Sequence, residues 1–238
     1  LAPAEHHRAL LDFGFGRGTG APYPAEDDGM LAPPARWSGR SQETLAIGQE
    51  VAVTPLQLGL ATCAVANGGL LPAPRLWTEA RGPDGTVVRT NPPRLLRRVL
   101  PPGLDEILRR ALRRVVSDGT GAVVDRPWVA IGGKTGTAQK AEPGRGYRDG
   151  LYSATFAGML PVEAPRLVIV AVLDEPRGIK HYASQSAAPL FGAVVDDIRR
   201  TTDWLTDVDR TSQPVVVTPP PATVPAPDVL FLDADHAS

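Results

Sequence analysis

Gly132-Gly133-Lys134-Thr135-Gly136-Thr137 decides how this chain is read. Two local structures compete for it. Gly-Lys-Thr can close a phosphate-binding P-loop, which needs a first glycine five residues before the second, and that position holds Trp128. A P-loop also leads into a helix whose N-terminus holds phosphate, and Gly136 with the run from Ala141 to Gly150 disfavours a helix. An extended strand fits better. On an ideal pleat Lys134 and Gly136 lie on one face and Thr135 and Thr137 on the other, so a twist or bulge is expected if all four line one cleft. The lysine would bring positive charge to an anionic ligand, and the threonine hydroxyls would donate to a carboxylate. Gly136 would let a ligand or a neighbouring chain approach closely. The same tetrapeptide also suits an ordinary surface strand.

Working outward, strands are expected at about 128–139, 151–160 and 166–174, joined by short connections and therefore an antiparallel meander. Leu167 to Leu173 is apolar on both faces, which predicts a central strand with helices on both sides. Upstream, Leu104, Ile107, Leu108, Ala111, Leu112, Val115 and Val116 repeat at helical spacing, and Arg109, Arg110, Arg113 and Arg114 read as the solvated face. Downstream, Ala187, Leu190, Phe191, Val194, Val195 and Ile198 mark the buried stripe of a last helix. Thr54-Pro55-Leu56-Gln57 reads as a capping box opening a helix that Asn67-Gly68-Gly69 ends. Pro83-Asp84-Gly85 supplies a hairpin turn within 75–90. Residues 1–50 read as Gly- and Pro-rich loops after a short helix near 4–12. Residues 1–210 are expected to form one folded unit. Pro214, Pro219, Pro220, Pro221, Pro225 and Pro227 make 211–238 a tail expected to be disordered.

The 238 residues are 42% hydrophobic and 21% charged with net charge -1, so there is no electrostatic pull toward nucleic acid, and no nucleic-acid partner is expected. No stretch approaches the ~20 apolar residues of a membrane span. The single cysteine, Cys63, excludes an internal disulfide and a cysteine-based zinc site, and reads as a small core residue. His6-His7 reads as solvated, and no His-Glu-x-x-His pattern occurs. No metal or organic cofactor is expected. His181-Tyr182 falls in a loop after the third strand, where a role near a cleft is open.

Lys134-Thr135-Gly136 resembles the Lys-Thr-Gly motif of penicillin-recognising enzymes. The flanking segments resemble class B penicillin-binding proteins, the division and elongation D,D-transpeptidases. These segments are Phe13-Gly14-Phe15-Gly16-Arg17-Gly18-Thr19-Gly20, the run from Ile47 to Leu58, Ala66-Asn67-Gly68-Gly69, the run from Val115 to Gly121, Ser153 to Gly158, and Ala187-Ala188-Pro189-Leu190-Phe191. Two departures are Glu50, where glycine is usual, and Ala183-Ser184, where Gly-Gly is common; local turns are expected to differ there. The resemblance implies an α/β fold, an antiparallel sheet flanked by helices as in penicillin-binding transpeptidases and serine β-lactamases, present here in part. It implies that Lys134, Thr135, Gly136 and Thr137 bind the substrate, with the Thr137 N–H in an oxyanion hole. Peptidoglycan stem peptides and β-lactams would be the ligands, and divisome or elongasome membrane proteins the partners, at the extracytoplasmic face of the membrane.

The family's Ser-x-x-Lys and Ser-x-Asn motifs are absent. Three residues before Lys134, Lys140 and Lys180 stand Ile131, Thr137 and Arg177; two before Asn67 and Asn91 stand Val65 and Arg89. Both motifs are expected upstream of Leu1, so this chain alone is expected to be inactive and poorly stable. No Gly-x-Ser-x-Gly elbow substitutes. Two other functions stay open, a β-lactamase-type hydrolase and a catalytically silent sensor or division-scaffold module.

Overall fold

The computed structural model describes residues 2–22, 25–142, 146–177 and 181–203. The expected tail at 211–238 lies outside the described residues. Helix α1 (Pro3–Asp12) is followed by short pieces: β1 (Met30–Leu31), α2 (Ser41–Ala46) and β2 (Val51–Ala52), with β1 and β2 paired antiparallel. Helix α3 (Pro55–Ala66) begins at the expected capping box. Gln57 N–H donates to Thr54 Oγ1 at 3.1 Å, and Thr54 N–H donates to Gln57 Oε1 at 2.8 Å. Gln57 is 1% exposed and does more than cap. Its Nε2 donates to the carbonyls of Arg17 (2.9 Å) and Asp28 (2.8 Å), tying the glycine-rich segment to the helix. Gln57→Ala is expected to cost about 2–3 kcal/mol, because it removes a buried amide that makes three hydrogen bonds, to the Thr54 N–H and to the Arg17 and Asp28 carbonyls. Urea denaturation of the full-length gene product checks this; an unchanged midpoint would show that water replaces the amide.

Strands β3 (Leu70–Pro72) and β6 (Leu95–Arg98) pair, and β4 (Glu79–Arg81) with β5 (Val87–Thr90) forms the expected hairpin. Helix α4 (Leu104–Ser117) precedes the main sheet of β7 (Gly132–Glu142), β8 (Gly146–Leu160) and β9 (Leu167–Asp174), an antiparallel meander in the order β7-β8-β9. Helix α5 (Ala187–Thr201) packs against β8 and β9, as does α3. Among the described residues this is an α/β arrangement of helices on an antiparallel sheet, as expected.

Register sorts the side chains. Phe156 opposes Ala171 on β9 and Thr135 on β7, so all three share one face. Phe156 is fully buried, and its ring centroid lies 4.7 Å from that of the fully buried Phe191 of α5. Val116, Val124, Ile131, Ala154, Leu160 and Val195 complete this core. Glycines make room for the rings. A Cβ at Gly158 would lie 2.8 Å from Phe191 Cζ, and one at Gly133 would lie 2.7 Å from Phe156 Cε1. The opposite face carries Ala157 and Val170, and a Cβ at Gly59 of α3 would stand 3.7 Å from Val170 Cγ2.

Three expectations need correction. The Leu167–Leu173 strand is covered by α3 and α5 on its two faces, but β8, not β9, is the middle strand of the described sheet. Apolarity on both faces reports coverage, which an outer strand can also have. Second, the arginines of α4 do not all face solvent. Arg110 and Arg114 do, whereas Arg109 Nη2 donates to Asp105 at 3.0 Å and its Nη1 to Glu163 O at 2.7 Å. Arg113 Nη1 donates to Asp125 (2.7 Å) and to Ile131 O (3.2 Å). These carbonyls lie at the ends of β7 and β8, and a long guanidinium supplies donors there. Ile107, assigned to the apolar stripe, is 55% exposed. Third, in α5 the stripe is narrower than expected: Ala187, Phe191 and Val195 are fully buried, while Leu190 and Val194 are partly exposed.

Arg126 fastens the chain entering β7 to α5. Its Nε and Nη2 donate to the two carboxylate oxygens of Asp196, each at 2.7 Å. The Arg126 hydrogen bonds outweigh burial and hold the Asp196 carboxyl below its ordinary pKa. Cys63 is half-buried, and burial pushes its thiol up, away from the reactive thiolate.

Candidate active site

β7 forms one side of the described sheet, and its ladder with β8 runs without a shift from Gly132 to Gln139. The bulge falls between Gln139 and Ala141, beyond the motif. The expected twist or bulge inside the motif is therefore not used. Thr135 and Thr137 lie on the α5 face, opposite Phe156 and Ala154, while Lys134 and Gly136 lie on the other face, opposite Ala157 and Thr155. Lys134 stays on its own face but reaches along the strand. It is exposed, and its flexible chain bends along the strand until Nζ donates to the Thr135 carbonyl at 2.8 Å. One outer strand thus carries an ammonium and two hydroxyls on three of its residues. The P-loop alternative fails on the same observation, because the motif continues as strand to Glu142.

Each threonine has a partner from elsewhere in the chain. Thr135 Oγ1 lies 2.8 Å from Thr120 Oγ1, on the loop after α4. Thr137 Oγ1 accepts from the Ala183 N–H at 2.9 Å, at the start of the 3-10 turn Ala183–Gln185 before α5. Local patterns could not locate these partners, which stand 15 and 46 residues from their threonines. Ala183 sits where the family resemblance expects glycine, and its side chain is 1% exposed.

The His181-Tyr182 loop, left open by the sequence, comes to the same place. The His181 ring stacks on Tyr152 of β8 with centroids 4.4 Å apart and rings 18° from parallel. The Tyr182 ring centroid lies 4.2 Å from that of His181, and Tyr182 is 55% exposed. Tyr152 opposes Gln139, two residues past Thr137, so the aromatic cluster stands at the end of the motif. Lys140 adds an ion cluster there, with Nζ 3.0 Å from Asp174 and 2.8 Å from Glu175. Among the described residues no group of three or more His, Cys, Asp or Glu is placed to hold a metal ion.

Gly136 has a role in the fold beside any role toward ligand. A Cβ there would lie 2.5 Å from Thr155 Oγ1 on the adjoining strand. Gly136→Ala is expected to cost about 1–3 kcal/mol through this overlap. Adding Thr155→Ala should recover most of the loss in a thermal melt, and failure to recover would show that backbone freedom, not the clash, demands glycine.

Glu50 also behaves in a way its residue type does not announce. Its φ is 59°, in the left-handed region that favours glycine. The glutamate takes that conformation and its carboxylate accepts from Ser41 Oγ (2.5 Å) and Thr44 Oγ1 (2.6 Å) of α2. These bonds, the one from Ser41 first, hold its pKa below the ordinary carboxylate value.

An antiparallel sheet between helices, with Lys-Thr-Gly on an outer strand, is the arrangement that the resemblance to penicillin-recognising proteins leads one to expect. Comparison with known proteins narrows this. The chain belongs to the penicillin binding protein transpeptidase domain family, whose model matches residues 1–196. It is 36% identical over 236 residues to penicillin-binding protein PbpB of Mycolicibacterium smegmatis, covering 95% of this chain and 35% of that protein. It is 30% identical over 208 residues to the peptidoglycan D,D-transpeptidase FtsI of Escherichia coli K12, covering 84% and 33%. A crystal structure of penicillin binding protein 3 from Mycobacterium tuberculosis complexed with ampicillin superposes with TM-score 0.72 at 36% identity, covering 82% of this chain and 45% of that one. The chain spans about a third of the length of the curated relatives it matches. Among the described residues no helix is long and apolar enough to cross a membrane.

Proposed function

We propose that these residues form the carboxylate-gripping side of a D,D-transpeptidase site that cross-links peptidoglycan stem peptides and is acylated by β-lactams. The observation that carries this reading is that one outer strand bears the Lys134 ammonium, whose Nζ bends along it to the Thr135 carbonyl, together with the Thr135 and Thr137 hydroxyls. A terminal carboxylate of a stem peptide, or the carboxylate of a penicillin, is an acceptor only, and these groups are donors. The Thr137 N–H would face the developing oxyanion; one such donor is typically worth about 3 kcal/mol. Gly136 leaves the strand open to the ligand backbone. The serine nucleophile and its lysine base belong to sequence other than these 238 residues, since Ser-x-x-Lys and Ser-x-Asn are absent. In the whole protein the site would work at the extracytoplasmic face of the cytoplasmic membrane, with divisome or elongasome membrane proteins as partners.

The test is incubation of the full-length gene product, and of residues 1–238 alone, with a fluorescent penicillin, followed by denaturing electrophoresis and mass spectrometry. The full-length product should carry a stable adduct on a serine outside this chain, and the chain alone should carry none. An adduct on the chain alone would overturn the division of labour. Rapid turnover of the adduct would identify a β-lactamase-type hydrolase, and no adduct on either would identify a silent module.

A further inference from the structure

We propose that Thr120 is a positioning residue for carboxylate recognition: its hydroxyl donates to Thr135 Oγ1 and thereby turns the Thr135 proton toward the ligand. The inference rests on the carboxylate reading above and adds a residue to it. A hydroxyl has one proton to give and lone pairs to receive with. To grip a carboxylate, Thr135 and Thr137 must each give that proton outward. For Thr137 the polarity is fixed, because the Ala183 amide can only donate, and it donates to Oγ1 at 2.9 Å. The Thr137 proton is therefore left for the ligand. For Thr135 the neighbour is another hydroxyl, Thr120 Oγ1 at 2.8 Å, and that bond can run in either direction. Once a carboxylate takes the Thr135 proton, only the direction from Thr120 to Thr135 remains. Both gripping hydroxyls are then backed by a donor behind them, and each chain of two bonds is polarised toward the anion.

The loop that carries Thr120 is held in place. Gly121 N–H donates to Val115 O at 2.9 Å, and a Cβ at Gly119 would lie only 2.9 Å from that same carbonyl. The loop is thus folded back on the last turn of α4, and the Thr120 hydroxyl is presented at a fixed place. Thr120 is itself exposed, so losing its hydroxyl opens no cavity.

The experiment compares wild-type, Thr120→Val and Thr120→Ser full-length gene products by the second-order rate constant of acylation. Two ligands are used, a penicillin with its free carboxylate and the methyl ester of the same penicillin. Thr120→Val should slow the free acid by about 3- to 10-fold, the scale of one hydrogen bond. It should leave the ester's rate as in wild type, and Thr120→Ser should restore the acid's rate. An unchanged acid rate in Thr120→Val would overturn the proposal. So would an equal fall with both ligands, which would mean that the loop acts only through its shape. A wild-type protein that neither ligand acylates would overturn the transpeptidase reading itself, and this inference with it.

Discussion

Phe191→Ala is expected to lower stability by about 3–5 kcal/mol, the upper range for truncating a buried aromatic ring. The reason is specific to this core. Phe191 is fully buried against Phe156, and the backbone beneath the two rings is glycine at 133 and 158. Glycine has no side chain to swing into the space the ring leaves, so the cavity should persist rather than collapse. Phe156 opposes Thr135 in the ladder, so a loosened core should also loosen the motif strand. Urea denaturation of the full-length gene product gives the stability change, and penicillin acylation gives the functional one. A loss under about 1 kcal/mol would mean that the two rings are not the centre of this core. Phe191→Leu should recover part of the loss by refilling volume.

The second large effect is chemical. Lys134→Met in the full-length gene product is expected to slow acylation by carboxylate-bearing penicillins about 30- to 150-fold, the equivalent of losing a charged hydrogen bond worth about 2–3 kcal/mol. Methionine keeps the length and apolar stem of the side chain and removes the ammonium. Lys134 is exposed, and its Nζ bond within the fold is to the Thr135 carbonyl, so the melting temperature should hardly move. That contrast separates the two substitutions: Phe191→Ala acts through the fold, and Lys134→Met through the ligand. Wild-type acylation by Lys134→Met would remove the lysine from the site and leave the threonines as the grip.

Much of this protein was legible along the chain because the signals are local. The capping box at Thr54 and Gln57 needs only residues three apart, and the structure forms both of its bonds. The Pro83-Asp84-Gly85 hairpin and the meander from β7 to β9 follow from turn chemistry and short connections. The strand period of two placed Thr135 and Thr137 on one face and Lys134 on the other. Inference from periodicity failed where a long side chain or a distant partner decided the outcome. Arg109 and Arg113 sit at solvated positions by pattern and turn inward to donate to carbonyls 54 and 18 residues away. Leu167 to Leu173 could announce that both its faces are covered, but not which strands lie beside it.

Local sequence signals were enough for helices α3, α4 and α5, the 83–85 turn, the three strands of the main sheet and the alternation of the Lys-Thr-Gly strand, but not for α2 or the short strands β1, β3 and β6. Tertiary structure alone decided that the Lys-Thr-Gly strand lies at the side of the described sheet. It also decided that Gly136 must spare Thr155, and that Thr120 and the Ala183 amide stand within hydrogen-bond reach of the Thr135 and Thr137 hydroxyls. The physical reason is range. Backbone propensity and side-chain period act over a few residues, whereas a hydroxyl's polarity is set by whichever donor the packing of α4 and α5 brings within 3 Å.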